Sequence, residues 1–67
     1  MIHINVNHKP KTIAPTTSLD TLLNQLAISK QGIAVAINNQ IISKNNWKET
    51  QLNNSDAVTI IQATQGG

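Results

Sequence analysis

The 67-residue chain predicts a two-layer α+β domain, a mixed sheet with one main helix packed on one face. Three observations carry that prediction. Short segments in which apolar and polar residues alternate read as strands with one buried face. Leu19, Leu22, Leu23 and Leu26 fall at helical spacing and form a single apolar stripe. The apolar set is aliphatic, with ten Ile, five Leu, three Val and six Ala beside one aromatic, Trp47. A helix with one apolar face and strands with one apolar face each are stable only when the two faces cover each other.

Ile2, Ile4 and Val6 alternate with His3, Asn5 and Asn7 and form the first strand. His8-Lys9-Pro10 interrupts the run, and Lys11-Thr12-Ile13-Ala14 resumes it as the second arm of a hairpin that Pro15 closes. Thr17 or Ser18 caps the helix, and Asp20 sits in its first turn, where the helix dipole favours a negative charge. Gly32 lets the chain turn back. Ile33, Val35 and Ile37 alternate with Ala34 and Ala36 as a third strand, and Asn38-Asn39 tolerates the positive φ of a tight turn into Gln40-Ile41-Ile42. Residues 43–51 read as a loop or short helical turn pinned by the Trp47 indole. Asn53 to Asp56 is a turn, and Val58 and Ile60 mark a last strand. The predicted order is β-β-α-β-β-β, and a roll with the first and last strands as central neighbours fits this order.

Composition removes several classes of function. There is no cysteine, which excludes disulfides, CxxC chemistry and thiol nucleophiles and favours a cytoplasmic location. Five lysines against Asp20, Glu49 and Asp56 give a formal net charge of +2, but the lysines are scattered along the chain and only one aromatic could stack on a base. Nucleic acid is therefore not an expected partner. No apolar run approaches the ~20 residues of a membrane span. His3 and His8, at odd separation on an extended segment, would face opposite ways and share no metal. The three acids are far apart in sequence, which argues against a paired-carboxylate mechanism, and no glycine-rich phosphate loop exists. Asn53-Asn54-Ser55 matches a glycosylation sequon, but no secretory signal accompanies it.

What remains is the C-terminal Gln65-Gly66-Gly67. Two glycines without Cβ atoms can pass through a narrow channel in another protein and leave a terminal carbonyl open to attack from either side. A frayed terminus that merely tolerates glycine is the alternative, and it predicts indifference to deleting Gly67.

The whole chain resembles the sulfur carrier proteins of thiamine biosynthesis, a branch of the ubiquitin-like superfamily. The likeness rests on the short first strand, Ser18-Leu19-Asp20-Thr21-Leu22-Leu23 at the helix start, Ala34-Val35-Ala36-Ile37-Asn38, Trp47, the Leu52 to Asp56 turn, Val58-Thr59-Ile60-Ile61, and Gly66-Gly67. The chain departs from the usual pattern at Ser43-Lys44, where the family often has Pro then Arg. Asn54-Ser55-Asp56 replaces an Asp-Gly-Asp-like turn, and Thr64 replaces an aliphatic residue.

The resemblance implies a ubiquitin-like β-grasp roll forming one domain over 1–67, with a flexible tail from about residue 64. It further implies that an E1-like adenylyltransferase, using ATP and Mg, activates the Gly67 carboxylate. Sulfur from a cysteine desulfurase or other donor then gives a thiocarboxylate, which delivers sulfur to thiazole synthase. On this reading the chain is a monomeric carrier when free and not an enzyme, binds no cofactor or metal itself, and presents Gln65 and Gly66 to its partners' channels. By strand alternation Thr59, Ile61, Ala34 and Ala36 point away from the helix, and this flat apolar patch is expected to contact the activating enzyme and the synthase. Competing readings are a molybdopterin synthase small subunit, a ubiquitin-like protein modifier and a plain interaction module.

Overall fold

A computed structural model describes residues 1–62 of the chain. The elements are β1 (Ile2–Val6), β2 (Lys9–Ile13), α1 (Leu19–Gln25), β3 (Ile33–Ile37), β4 (Gln40–Ile42), a 3-10 helix (Lys44–Glu49) and β5 (Ala57–Gln62). The strands form one sheet in the order β2-β1-β5-β3-β4. β1 runs parallel to β5, and every other pair is antiparallel. The first and last strands are therefore neighbours, as the sequence predicts, and β5 lies at the centre of the sheet.

The core is the aliphatic set expected from composition. Leu19, Leu22 and Leu23 of α1 pack with Ile4, Ile13, Val35, Val58 and Ile60 of the sheet, and Trp47 and Leu52 complete the cluster. Ser18 is the helix cap, its Oγ accepting from the Thr21 N–H at 3.1 Å. Thr17 instead ties the helix approach to the later chain, its carbonyl accepting from the Leu52 N–H. The helix stops at Leu26. Ala27 N–H donates to the Asn24 carbonyl and Ile28 N–H to that of Leu23, which is the paired bonding of a Schellman ending with Ala27 in the left-handed region at φ 56. Gly32, at φ 70, serves the entry to β3.

The hairpin differs from expectation at one point. Its turn is Asn7-His8, with φ of 51 and 69, and β2 begins at Lys9 rather than after Pro10. Two positive φ values in a two-residue loop match the twist of antiparallel strands. Pro10 is tolerated because β2 is an edge strand and because of its register. It pairs with Asn5, whose N–H points the other way to the Asp56 carbonyl, so the proline nitrogen faces the open edge. His8 accordingly lies in a turn rather than on an extended strand.

Candidate functional site

The sheet face turned away from α1 is built by the register of three strands. Ala34 pairs with Ile61 and Ala36 with Thr59, so these four residues lie side by side. Val35 and Ile60, their neighbours in sequence, point into the core. The pairing of β3 with β4 adds a residue that the sequence reading did not assign to this face. Ala36 also pairs with Ile41, which is 71% exposed, and Ile61 is 57% exposed. The face therefore carries two large aliphatic side chains flanking small alanines. The signal for Ile41 was present in the chain: a two-residue Asn38-Asn39 turn sets Ile37 opposite Gln40 and hence Ile41 opposite Ala36.

The central strand that carries this face is held by two asparagines, one at its middle and one at its start. The Asn7 side chain accepts from the Ile60 N–H at 2.7 Å through Oδ1 and donates to the Ile60 carbonyl at 3.3 Å through Nδ2. It continues the β1 side of the ladder beyond the last strand residue. At the start of the strand Asn38 Oδ1 accepts from the Ala57 N–H, and its Nδ2 donates to Asp56 Oδ1 at 3.1 Å. Asp56 Oδ2 in turn accepts from the Asn53 N–H at 2.8 Å, so a buried carboxylate closes the turn before β5. A shallow hollow lined by Asn5, His8, Ala57, Val58 and Thr59 lies beside the first of these clamps.

Other sequence candidates take structural places. Trp47 is buried, and its Nε1 donates to the Ile42 carbonyl at 2.9 Å, which fastens the 3-10 helix to the end of β4. His3 is exposed with Nδ1 3.3 Å from the Thr12 hydroxyl. Among the described residues no three metal-ligating side chains come together, and no helix is long and apolar enough to cross a membrane. Gln65, Gly66 and Gly67 lie outside the described residues, as does Thr64. Ile61 is the penultimate described residue, so the exposed patch adjoins the point where the chain continues toward them.

A mixed five-stranded sheet with a parallel pair of first and last strands and one helix across a single face is the architecture of a ubiquitin-like β-grasp protein. Its C-terminal strand lies at the centre of the sheet beside the exposed patch. The chain belongs to the ThiS family, whose model matches residues 4–67. The crystal structure of the thiamine biosynthesis protein ThiS from Geobacter metallireducens superposes with a TM-score of 0.84 at 25% identity, covering 98% of this chain and all of that one. The solution structure of a thiamine biosynthesis protein from the same organism gives 0.79, also at 25% identity, over 98% of this chain and 88% of the other. In sequence, the ycf40 protein of Porphyra purpurea, itself uncharacterized, is 33% identical over 66 residues, which are 98% of this chain and 93% of that protein. The ycf40 protein of Pyropia yezoensis is 30% identical over the same shares.

Proposed function

We propose that this chain is a sulfur carrier of thiamine biosynthesis whose working group is the Gly67 carboxylate. The observation that carries this reading is a family match that spans the fold and continues through Gly66 and Gly67. A carboxylate is a poor electrophile because no good leaving group stands on its carbon. An E1-like adenylyltransferase with ATP and Mg supplies one, forming the acyl adenylate and releasing pyrophosphate. The terminal sulfur of a desulfurase persulfide then attacks the acyl carbon and expels AMP. A further thiol reduces the resulting sulfur-sulfur bond and frees the thiocarboxylate, from which thiazole synthase takes its sulfur. All cysteines in this sequence of steps belong to partners, since the chain has none.

The exposed patch of Ile41, Ile61, Ala34, Ala36 and Thr59 is the docking face in this proposal. It is flat, apolar and next to the chain's exit from β5, so a partner seated on it has the C-terminal residues within its own active site. The test is intact mass after incubation with ATP, an activating enzyme and a sulfur source. Replacement of one oxygen by sulfur adds about 16 Da at the terminus, and an unchanged mass with demonstrably active partners overturns the reading. Growth of a thiazole auxotroph on this protein separates the thiamine role from delivery to a pterin precursor.

A further inference from the structure

Three of the five lysines, scattered along the sequence, come together in space. Lys30, from the loop after α1, and Lys44 and Lys48, from the 3-10 helix, line one open groove with Asp20, Asn45 and Trp47. Asp20 pairs with Lys30 at 2.8 Å and holds that ammonium at the groove. Among the described residues no carboxylate pairs with Lys44 or Lys48. The remaining charges offset one another: Lys9 and Lys11 stand against Glu49 and Asp56, none of which lines the groove. The whole formal net charge of +2 is thus gathered in one place, between the helix and the 3-10 segment.

We propose that this groove is a docking site for an acidic segment of a partner protein, separate from the exposed sheet face. Gathering like charges is unfavourable unless a counter-charge arrives, and at low salt such a patch attracts carboxylates from beyond contact distance. The chemistry of the lining selects among anions. Trp47 offers no ring face for stacking because it is buried, which disfavours a nucleobase. A lysine ammonium is a compact point charge with three rotatable donors on a flexible stem, which a side-chain carboxylate satisfies without a fixed fork geometry. The groove has a volume of about 360 Å³ and is open to solvent, so side-chain carboxylates presented by a peptide can reach its ammonium groups. The site stands whether or not Gly67 is the sulfur-bearing group.

Trp47, the chain's sole aromatic, is a built-in reporter. Its fluorescence is followed while hexaglutamate, hexaglutamine, inorganic phosphate or oligothymidylate is added at about 10 mM salt, where the Debye length is ~30 Å, and again at about 150 mM, where it is ~8 Å. The proposal expects a saturable change with hexaglutamate alone, weakened several-fold at the higher salt. It expects loss of that change in Lys44→Glu/Lys48→Glu and strong weakening in Lys44→Gln/Lys48→Gln. Circular dichroism identical to the parent confirms that these exposed substitutions leave the fold in place. Lys9→Glu/Lys11→Glu, with the same change in total charge, should bind as the parent does. No response to hexaglutamate overturns the proposal. So does an equal response to phosphate or oligothymidylate, or equal loss in the Lys9/Lys11 variant.

Discussion

Ala27 holds the left-handed position at the end of α1, with φ 56 and a Cβ that this conformation crowds. Glycine removes that crowding, offset in part by the larger entropy of the unfolded chain. Ala27→Gly is therefore expected to stabilise the protein by about 0.5–1 kcal/mol, read as a rise of roughly 2–8 °C in the thermal midpoint for a domain of this size. Asn7 makes the opposite case. Its amide is both donor and acceptor for Ile60, 53 positions away, and its own φ is 51. Asn7→Ala leaves both main-chain groups of Ile60 without these partners and places a Cβ-bearing residue without a local hydrogen bond at positive φ. The expected cost is about 1–3 kcal/mol in urea denaturation. Asn7→Asp keeps the acceptor and loses the donor, so its midpoint should fall between the two. Neither role is visible from periodicity, because a turn asparagine that only tolerates positive φ and one that also bonds a strand across the sheet look alike in sequence.

At the scale of elements, the helix stripe, the three alternating strands and the two-residue Asn38-Asn39 turn were legible because each has its own period or turn chemistry. The misreadings have physical causes. Pro10 looked like a break, yet an edge strand has one side on which a missing N–H costs nothing. The charge pattern was invisible, because Lys30 and Lys44 meet only once the 3-10 helix is laid against α1. Trp47 read correctly as an anchor for residues 43–51, and the indole is both buried and bonded to the Ile42 carbonyl. Trp47→Ala removes a large core side chain, at a typical cost of about 3–5 kcal/mol. A core of this size supplies a net stability of only ~3–5 kcal/mol. The variant is expected to be largely unfolded at 25 °C, with collapsed amide dispersion in its NMR spectrum. Trp47→Phe keeps most of the apolar volume and loses the Nε1–H bond, and should fold with a midpoint lowered by about 1–3 kcal/mol in denaturant.

Across the whole molecule, stability and the proposed function occupy different residues. The core is closed by side chains between Ile4 and Ile60, while Ile41 and Ile61 contribute little to it because more than half of each remains exposed. Ile41→Asp and Ile61→Asp should therefore leave the thermal midpoint close to the parent value. If the sheet face seats the activating enzyme, a charge placed in an apolar contact weakens binding by about 2 kcal/mol or more, roughly thirtyfold in affinity. The terminal residues extend the same separation further. Among the described residues the β5 ladder runs to Gln62, and the core side chains lie upstream of it. Removing Gly67 is therefore expected to leave urea denaturation unchanged and the affinity of the docking face within about threefold, since that face is intact. It should abolish formation of the species heavier by about 16 Da, because the carboxylate then stands one residue short of the catalytic centre, and a residue spans ~3.5 Å of extended chain. Combining the two changes decides between a docked carrier and an idle terminus. The docked carrier predicts that Ile61→Asp slows thiocarboxylate formation at low enzyme concentration and recovers at saturation, whereas removal of Gly67 cannot be rescued by more enzyme. Equal and full mass conversion of the parent and the Gly67 deletion, measured side by side, would show that the terminal glycine has no part in the chemistry.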